Sequence, residues 1–280
     1  MKEIKNQEFS DERSLFKGCS LVVNNCSFDK GESPLKESKN IEVKNSTFIW
    51  KYPLWYSNKV HVHDTKFLVG ARAGIWYTKN STFENCLFDA PKCFRKCHNI
   101  VIKNIDLQNL SETLWWNDYV TLENVKSSGD YFGMKTSHIK ANNLEINGLY
   151  AFDGISHSKI TNSKIITKDA FWNSKNVIIE NCYIECEYFG WNSSNITLIN
   201  CEVKSHQGFC YMDNIKLINC KISGDLMFEY CTRINAHITN NGIESIKNPT
   251  SGKIFLDKKT NLIINETNLK KMKIIVNDEK

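Results

Sequence analysis

Apolar and polar residues alternate along most of this chain in a frame that returns every 19 to 21 residues. The frame reads apolar, any, apolar, any, Asn, small, any, apolar, as in Ile196–Val203 and again in Ile215–Ile222. A repeat of this length is typical of a solenoid built from stacked turns of chain. The asparagine position, which we call the Asn slot, is held by Asn25, Asn45, Asp64, Asn85, Asn104, Asn124, Asn143, Asn162, Asn181, Asn200, Asn219 and Asn240.

The alternation predicts short strands with one buried face. A strand of this length cannot bury its apolar face alone, so successive turns must stack, about 4.8 Å apart. Asparagine suits the bends because it tolerates the left-handed conformation, and its amide can bond to its copies in neighbouring turns. We therefore predict an all-β fold, a single-stranded right-handed parallel β-helix of roughly eleven or twelve coils.

The two ends of the chain depart from the frame. Residues 1–20 are predicted to form an N-terminal cap, in which Ser10–Phe16 could be a short helix. Residues 21–245 form the predicted β-helix. Residues 246–280 are predicted to close the other end with strands at Ile254–Leu256 and Leu262–Ile264, because uncovered strand edges promote aggregation.

Counting back from the Asn slot reveals a third predicted strand in each coil. The position ten residues before the slot is mostly apolar. The position nine before it, which we call the tryptophan row, holds five of the seven tryptophans. Adjacent residues of a strand point to opposite faces, so the tryptophan row is predicted to point outward. If the register is shifted by one residue, the row is core instead; loops or a second subunit could also cover it. The row is Lys36, Trp55, Trp76, Arg95, Trp115, Met134, Asp153, Trp172, Trp191 and Cys210.

Composition narrows the class of protein. A chain of 280 residues that is 41% hydrophobic can bury one long core as a single solenoid. Its net charge of +5 is too small to imply strong nucleic-acid binding. The N-terminus (Met1–Asn6) lacks the apolar run of a signal peptide, and no stretch approaches membrane-spanning length. We therefore expect a cytoplasmic protein with no nucleic-acid or membrane partner.

The eleven cysteines follow the repeat. Five of them occupy the position after the Asn slot, where serine or threonine stands in other coils, which indicates reduced thiols packed inward. The cysteine pairs lack a second ligand pair, and His61 and His63 are expected to face solvent because Val60 and Val62 are the inward residues, so we predict no metal and no cofactor. The five cysteines are Cys26, Cys86, Cys182, Cys201 and Cys220.

The phrases Lys51–Tyr56, Asp169–Ser174 and Gln207–Tyr211 carry a resemblance to a known group of proteins. Through them the chain resembles the pectin-lyase-like superfamily of single-stranded β-helices, and most of all an uncharacterised bacterial domain-of-unknown-function family within it. The resemblance covers most of the chain. It implies the β-helix fold and a polysaccharide groove on a face comparable to the tryptophan row, but no established activity.

The tryptophan row is the strongest candidate for function. Exposed aromatic patches mark binding surfaces, flat rings suit the faces of sugars, and arginine or lysine suits the carboxylates of acidic sugars. We predict a carbohydrate-binding or carbohydrate-processing β-helix for acidic oligosaccharides; the alternative is a non-catalytic scaffold that docks another protein or a copy of itself. The predicted binding residues are Trp55, Trp76, Trp115, Trp116, Trp172, Trp191, Arg72 and Lys96.

Whether the protein is an enzyme stays open at this point. Hydrolysis by two carboxylates needs them about 5–9.5 Å apart, and acids do not stack in one row here: Glu112 and Asp169 share a position but lie three coils apart. A lyase needs a base and a group that neutralises the uronate. Arg95, Lys135 and Asp153 are the candidate catalytic residues for that chemistry.

Overall fold

A computed structural model of the chain describes residues 1–108, 111–240 and 242–277. These residues form an all-β parallel solenoid of about 14 turns with almost no helix, so the predicted fold class is confirmed and the predicted number of coils was slightly low. The chain divides into two compact units, residues 1–145 and 146–280, and each is described by itself below. Among the described residues, no helix has the length and apolar character needed to cross a membrane.

In the first unit each turn up to Phe88 contributes a longer and a shorter strand, and from His98 onward the two merge into single strands of 10 or 15 residues. Each strand pairs in parallel with its counterpart about 20 residues away, as in Ile41 with Val60. A 3-10 helix at Val69–Ala71 interrupts the strands. The strands are β1 Lys2–Lys5, β2 Glu8–Phe9, β3 Leu21–Asn24, β4 Ser27–Phe28, β5 Lys39–Lys44, β6 Thr47–Phe48, β7 Asn58–His63, β8 Lys66–Phe67, β9 Lys79–Glu84, β10 Leu87–Phe88, β11 His98–Leu107, β12 Asp118–Phe132 and β13 Ser137–Ala151, which contains the unit boundary.

The second unit repeats this plan with a spacing of 19 residues, as in Val177 with Ile196 and Ile196 with Ile215. A second 3-10 helix lies at Leu269–Lys271. The strands are β14 Ser156–Thr161, β15 Lys164–Ala170, β16 Lys175–Glu180, β17 Tyr183–Phe189, β18 Ser194–Ile199, β19 Glu202–Gly208, β20 Asp213–Asp225, β21 Ile234–Ile238, β22 Gly242–Ile243, β23 Ser245–Lys247, β24 Gly252–Leu256, β25 Asn261–Ile263 and β26 Met272–Val276.

The Asn slot behaves as the repeat predicts. Every residue assigned to it has a left-handed backbone, with φ between 50° and 56°. The side-chain amides form ladders: Asn124 donates to Asn104 at 2.8 Å, and Asn219 donates to Asn200 at 2.8 Å. A second ladder, which the sequence analysis missed, lies five residues before the slot and includes Asn176, Asn195 and Asn214.

The core consists of the rows that flank the slot, and phenylalanines stack along it. In the first unit the rings of Phe28 and Phe48 lie 4.8 Å apart, and those of Phe67 and Phe88 lie 4.3 Å apart. Burial of each such side chain stabilises the fold by roughly 2–3 kcal/mol. Ten of the eleven cysteines are buried free thiols and Cys19 is an exposed one, as the shared Cys, Ser and Thr position predicts.

The N-terminal helix was a wrong prediction. Residues Ser10–Phe16 form turns in which Arg13 and Leu15 are left-handed, while β1 and β2 pair in parallel with β3 and β4. Residues 1–20 therefore add a turn to the solenoid. At the other end β24 and β25 form where strands were predicted, and the additional strand β26 pairs with β24. The tail beyond residue 277 lies outside the described residues.

The third predicted strand is a tight turn instead. The residue eight before the Asn slot is left-handed from the Asn45 turn to the Asn219 turn, and from Phe94 onward so is the residue ten before it, as at Phe171 and Asn173, so a regular strand cannot form there. The burial pattern nevertheless has the predicted register. Residues ten before the slot, such as Leu54 and Phe171, are fully buried, whereas Trp55 and Trp172 are half-buried. The shifted register, with the tryptophans in the core, is therefore wrong.

Candidate functional site

The tryptophan row lies in a tight turn and is followed by a left-handed residue; from Arg95 onward a left-handed residue also precedes it. The left-handed residue that follows the tryptophan row, eight residues before the Asn slot, forms what we call the outer row, and its side chains project from the turn. Alternation of left-handed and extended residues brings the same position of successive turns into register, so like side chains stack along the solenoid. The outer row contains Tyr56, Tyr77, Lys96, Trp116 and Lys135 in the first unit and Asn173, Asn192 and Tyr211 in the second.

In the first unit the tryptophan row forms a stack, which we call the cationic aromatic ladder: Trp55, Trp76, Arg95 and Trp115. The rings of Trp55 and Trp76 are parallel to within 6°, with centroids 5.1 Å apart. The Arg95 guanidinium lies between the indoles of Trp76 and Trp115, with Cζ 4.7 Å and 4.8 Å from the two centroids. Arginine replaces tryptophan in this turn because its planar guanidinium stacks on aromatic faces.

The indole N–H groups of Trp55 and Trp76 are hydrogen-bonded, whereas, among the described residues, one nitrogen of Arg95 and the indole nitrogen of Trp115 are not. The indole N–H of Trp55 donates to the carbonyl of Ala73 at 2.5 Å, and that of Trp76 donates to the carbonyl of Lys92 at 2.7 Å. Within the described part of the chain, Nε of Arg95 and Nε1 of Trp115 are buried and have no hydrogen-bond partner. The two unpartnered donors sit where the guanidinium contacts the Trp115 ring.

Glu112 sets the electrostatics of this ladder. Its Oε2 accepts from Arg95 Nη2 at 2.7 Å and lies 3.3 Å from Lys92 Nζ. Burial tends to raise the pKa of Glu112, but the bonds from Arg95 and Lys92 hold it below its ordinary value. Lys96 adds a third cation, with Nζ 5.7 Å from the Tyr77 ring. Arg95 and Lys92 share this single carboxylate, and among the described residues Lys96 forms no ion pair, so the ladder and the outer row beside it carry excess positive charge.

The stacking limits what a ligand can touch. Trp55 and Arg95 cover the two faces of the Trp76 indole, so only its edge faces solvent. Exposed aromatic surface belongs instead to the outer row, where Tyr56 is 50% and Trp116 is 40% exposed. The groove of open indole faces that the sequence suggested is therefore replaced by stacked indoles flanked by exposed outer-row rings.

The left-handed backbone of the outer row has a conformational cost. Tyr56 has φ 58° and Trp116 has φ 55°, and the left-handed region costs a side chain with a Cβ about 1–2 kcal/mol. Buried residues in this conformation, such as Leu114, offset the cost by burial, and asparagines offset it with ladder bonds. Tyr56 is partly compensated by stacking on Tyr77 at 4.6 Å. Because exposed Lys59 and Tyr119 have the same left-handed backbone, it is the exposure of the aromatic rings beside cations, and not the backbone, that distinguishes Tyr56 and Trp116.

The second unit has its own aromatic ladder. Trp172 and Trp191 lie 5.6 Å apart, Trp191 stacks on Tyr211 at 5.5 Å, and Tyr211 lies 5.2 Å from Tyr230. Tyr188 packs edge-on against both tryptophans. Asparagine fills the outer row here: Asn192 donates to Asn173, and Asn173 donates to Asp153 Oδ1, each at 3.0 Å.

The predicted site residues thus divide between the units. In the first unit the structure brings Arg95 together with Trp55, Trp76, Trp115 and Trp116; Lys96 lies beside Tyr77, and Arg72 and Lys135 are exposed. Asp153, Trp172 and Trp191 belong to the second unit. Arg95 is held by Glu112 and Asp153 by Asn173, and the catalytic role of Arg95, Lys135 and Asp153 stays a prediction.

Sequence reasoning missed several residues of the two ladders. Lys92 and Tyr188 lie outside the tryptophan row and give no signal in its period. Tyr56, Tyr77 and Tyr211 did give one, because each stands eight residues before an Asn slot. No group of three or more His, Cys, Asp or Glu side chains in the described ranges is placed to hold a metal ion.

Comparison with known proteins identifies the family. Residues 2–277 match the model of a family described as protein of unknown function (DUF3737). The chain belongs to this family. Among solved structures, the crystal structure of the Dettilon tailspike protein (gp208) is similar, with 10% sequence identity and a TM-score of 0.31 over 97% of this chain. This chain spans 60% of that tailspike chain. No curated protein matches the chain.

Proposed function

We propose that this DUF3737 protein is a carbohydrate-binding β-solenoid, and that the cationic aromatic ladder of its first unit binds acidic oligosaccharides. The observation that carries the proposal is the exposure of two aromatic side chains of the outer row, Tyr56 and Trp116, beside excess positive charge. Exposed aromatic rings of this kind mark binding surfaces. Recognition of a ligand with apolar ring faces and negative charge explains both features.

The geometry suggests how the ligand would be held. Because the faces of Trp76 are covered, sugar rings would pack instead against the exposed surface of Trp116 and against the part of Tyr56 that its stacking on Tyr77 leaves open. Carboxylates of the ligand would then lie near Lys92 and Lys96, where charge-assisted hydrogen bonds are available. Binding rather than bond cleavage is the function we propose, since the candidate base Arg95 is already engaged by Glu112.

Tryptophan fluorescence provides the test. A saturable change is expected with an oligogalacturonate and not with a neutral galactose oligomer of the same length. Trp116→Ala and Lys96→Gln should each weaken binding about tenfold, which corresponds to about 1.4 kcal/mol. The matched control is Trp50→Ala, since Trp50 is 39% exposed but belongs to neither the tryptophan row nor the outer row. Equal responses to both oligomers, or full binding by Trp116→Ala, would refute the proposal.

Self-association is the second candidate, because a copy of the chain could cover Tyr56 and Trp116 in place of a sugar. The molar mass measured by light scattering distinguishes self-association from carbohydrate binding. The carbohydrate proposal predicts a mass that does not change in Trp116→Ala. A dimer that dissociates in this variant and that ignores every oligosaccharide would establish the scaffold function instead.

A further inference from the structure

The second unit contains a buried carboxyl group with an unused acceptor. Asp169 is 7% exposed, and among the described residues its Oδ1 accepts no hydrogen bond. Its neighbour across the parallel strands β15 and β17 is Tyr188. The indole Nε1 of Trp172, three residues further along, is also buried and has no partner in the described ranges. Buried polar atoms are nearly always bonded, so two such atoms close in sequence indicate a missing partner.

The charges around Asp169 are uncompensated. Asp153 and Glu187 lie close enough to act on it, and only Lys168, which is exposed, acts in the opposite direction. Over the described residues, none of these three carboxylates forms an ion pair with lysine or arginine. The same unit does neutralise a buried acid elsewhere: Glu229 is bonded by Lys247 at 2.7 Å and by Gln207 at 2.8 Å.

Aromatic rings surround the same place. The ring centroid of Tyr188 lies 6.3 Å from that of Trp172 and 6.0 Å from that of Trp191, both in edge-on contacts, and the centroids of the two indoles lie 5.6 Å apart. The faces of electron-rich rings attract organic cations, and a nearby carboxylate strengthens that attraction. Trp172, Tyr188 and Trp191 together with Asp153, Asp169 and Glu187 form what we call the acidic aromatic patch.

We propose that the acidic aromatic patch binds the ammonium group of an organic cation, with an amino sugar as the ligand class. The inference goes beyond the function proposed above, since it concerns another unit and a ligand of opposite charge. A metal ion fits less well, because across the described ranges no three acidic, histidine or cysteine side chains converge as metal ligands. The ammonium group would supply the hydrogen-bond donor that Asp169 lacks, and a hydroxyl oxygen of the same sugar would accept from the indole N–H of Trp172.

Binding should also depend on pH. Burial raises the pKa of Asp169; Lys168 partly opposes this, and the charges of Glu187 and Asp153 add to it. A cation prefers the ionised carboxyl group, so its affinity should fall as the pH is lowered through the raised pKa of Asp169. An acetylated sugar, which carries no charge, should show no such dependence.

The experiment compares a glucosamine trimer with the N-acetylglucosamine trimer by tryptophan fluorescence and calorimetry at low salt. The charged trimer should bind at least about tenfold more tightly, since only its ammonium groups can form a charge-assisted hydrogen bond with Asp169. Spermidine tests the other source of ammonium groups. If it binds as tightly as the amino trimer and is equally sensitive to Asp169→Asn, the ammonium site is supported without selectivity for sugars.

Variants make the test specific. Asp169→Asn keeps the shape of the side chain and should weaken binding of the amino trimer about tenfold. If this variant fails to fold, as shown by circular dichroism, Glu187→Gln serves instead, because Glu187 is exposed. Glu244→Gln, an exposed acid outside the patch, should have no effect. Equal affinities for the two trimers, or unchanged binding when the patch carboxylates are neutralised, would overturn the proposal.

Discussion

At the scale of single residues, the left-handed positions of each turn differ in how their conformational cost is offset. Asn200 has φ 51° and shares amide bonds with Asn181 and Asn219. Phe209 has φ 59° and is fully buried. Tyr56 and Trp116 have the same backbone and remain exposed, and this exposure beside cations, not the backbone, is why we assign them a role in binding.

Replacement of Asn200 should therefore destabilise the fold through two separate effects. Asn200→Ala introduces a residue that disfavours φ > 0 and removes two ladder bonds, so we expect a loss of about 2–3 kcal/mol in the free energy of unfolding. Asn200→Gly removes the bonds but tolerates the backbone, and should lose about 1 kcal/mol less. Urea unfolding of both variants measures the difference. Equal losses would show that the backbone conformation contributes nothing.

The thiols provide a second prediction at this scale. Cys19 is exposed, whereas burial raises the pKa of Cys93 and of Cys97 to about 12. Because the thiolate is the reactive form, a thiol reagent should label a single cysteine of the native protein, and the labelling should disappear in Cys19→Ser. If several thiols of folded Cys19→Ser were labelled rapidly, the ten other cysteines could not be buried as the structure shows.

At the scale of strands and turns, equivalent positions of neighbouring coils mostly hold the same type of residue. A few positions depart from this pattern and hold charged residues. Arg95 lies within a stack of tryptophans and donates a hydrogen bond to Glu112. On β5 and β7, Glu42 and His63 form a similar cross-strand exception, because Nε2 of His63 lies 3.1 Å from Glu42 and its Nδ1 lies 2.7 Å from Asp64.

His63 should make the stability of the first unit depend on pH. Burial tends to lower its pKa, but the bonds to Asp64 and Glu42 raise it above the ordinary 6.5. A raised pKa in the folded state stabilises the fold at pH values below about 6.5, and this stabilisation is lost as the pH rises through the folded-state value. The free energy of unfolding should therefore fall by less than about 1 kcal/mol between about pH 6 and pH 8.

Urea unfolding at several pH values measures this slope, and His63→Gln should flatten it. His61→Gln is the control, since His61 is exposed on the same strand and neither of the two carboxylates bonds to it. A slope that survives in His63→Gln would assign the pH dependence to another group.

The repeat explains which parts of the fold could be predicted from sequence. Period-two alternation and the Asn slot specify inward rows and left-handed bends, and both were confirmed at Asn45, Asn181 and their copies. The tight turn was predicted to be a strand because its residues alternate between buried and exposed, as the residues of a strand do. Residues 1–20 contain one further copy of the frame that the sequence analysis overlooked: Asn6 stands 19 residues before Asn25, and Asn25 Nδ2 donates to Asn6 Oδ1 at 2.8 Å.

The candidate site was less predictable for a physical reason. Periodicity identifies which residues face outward, but it contains no information on side-chain rotation, and rotation decides whether the Trp76 face meets solvent or its neighbours. The partners Glu112 and Lys92 come from positions outside the tryptophan row. Their contact with the ladder depends on the turn geometry, which the repeat does not specify.

At the scale of the whole molecule, the net charge of +5 conceals two local charge patterns. The cationic aromatic ladder of the first unit and the outer row beside it have three cations to one carboxylate. The acidic aromatic patch of the second unit has three carboxylates without an ion pair among the described residues. The same stacking of aromatic rings is therefore combined with opposite charges in the two units.

The two proposed sites should consequently respond to different variants but in the same way to salt. Lys96→Gln should weaken the binding of an oligogalacturonate and leave the binding of a glucosamine trimer unchanged, and Glu187→Gln should do the reverse. Both affinities should fall as sodium chloride is raised, because ions screen exposed charges beyond about 8 Å at physiological ionic strength. Calorimetry of each variant with each ligand at two salt concentrations measures all of these effects. If both variants weakened both ligands equally, the two charge patterns would not be separate binding sites, and a general loss of folding, checked by circular dichroism, would be the competing explanation.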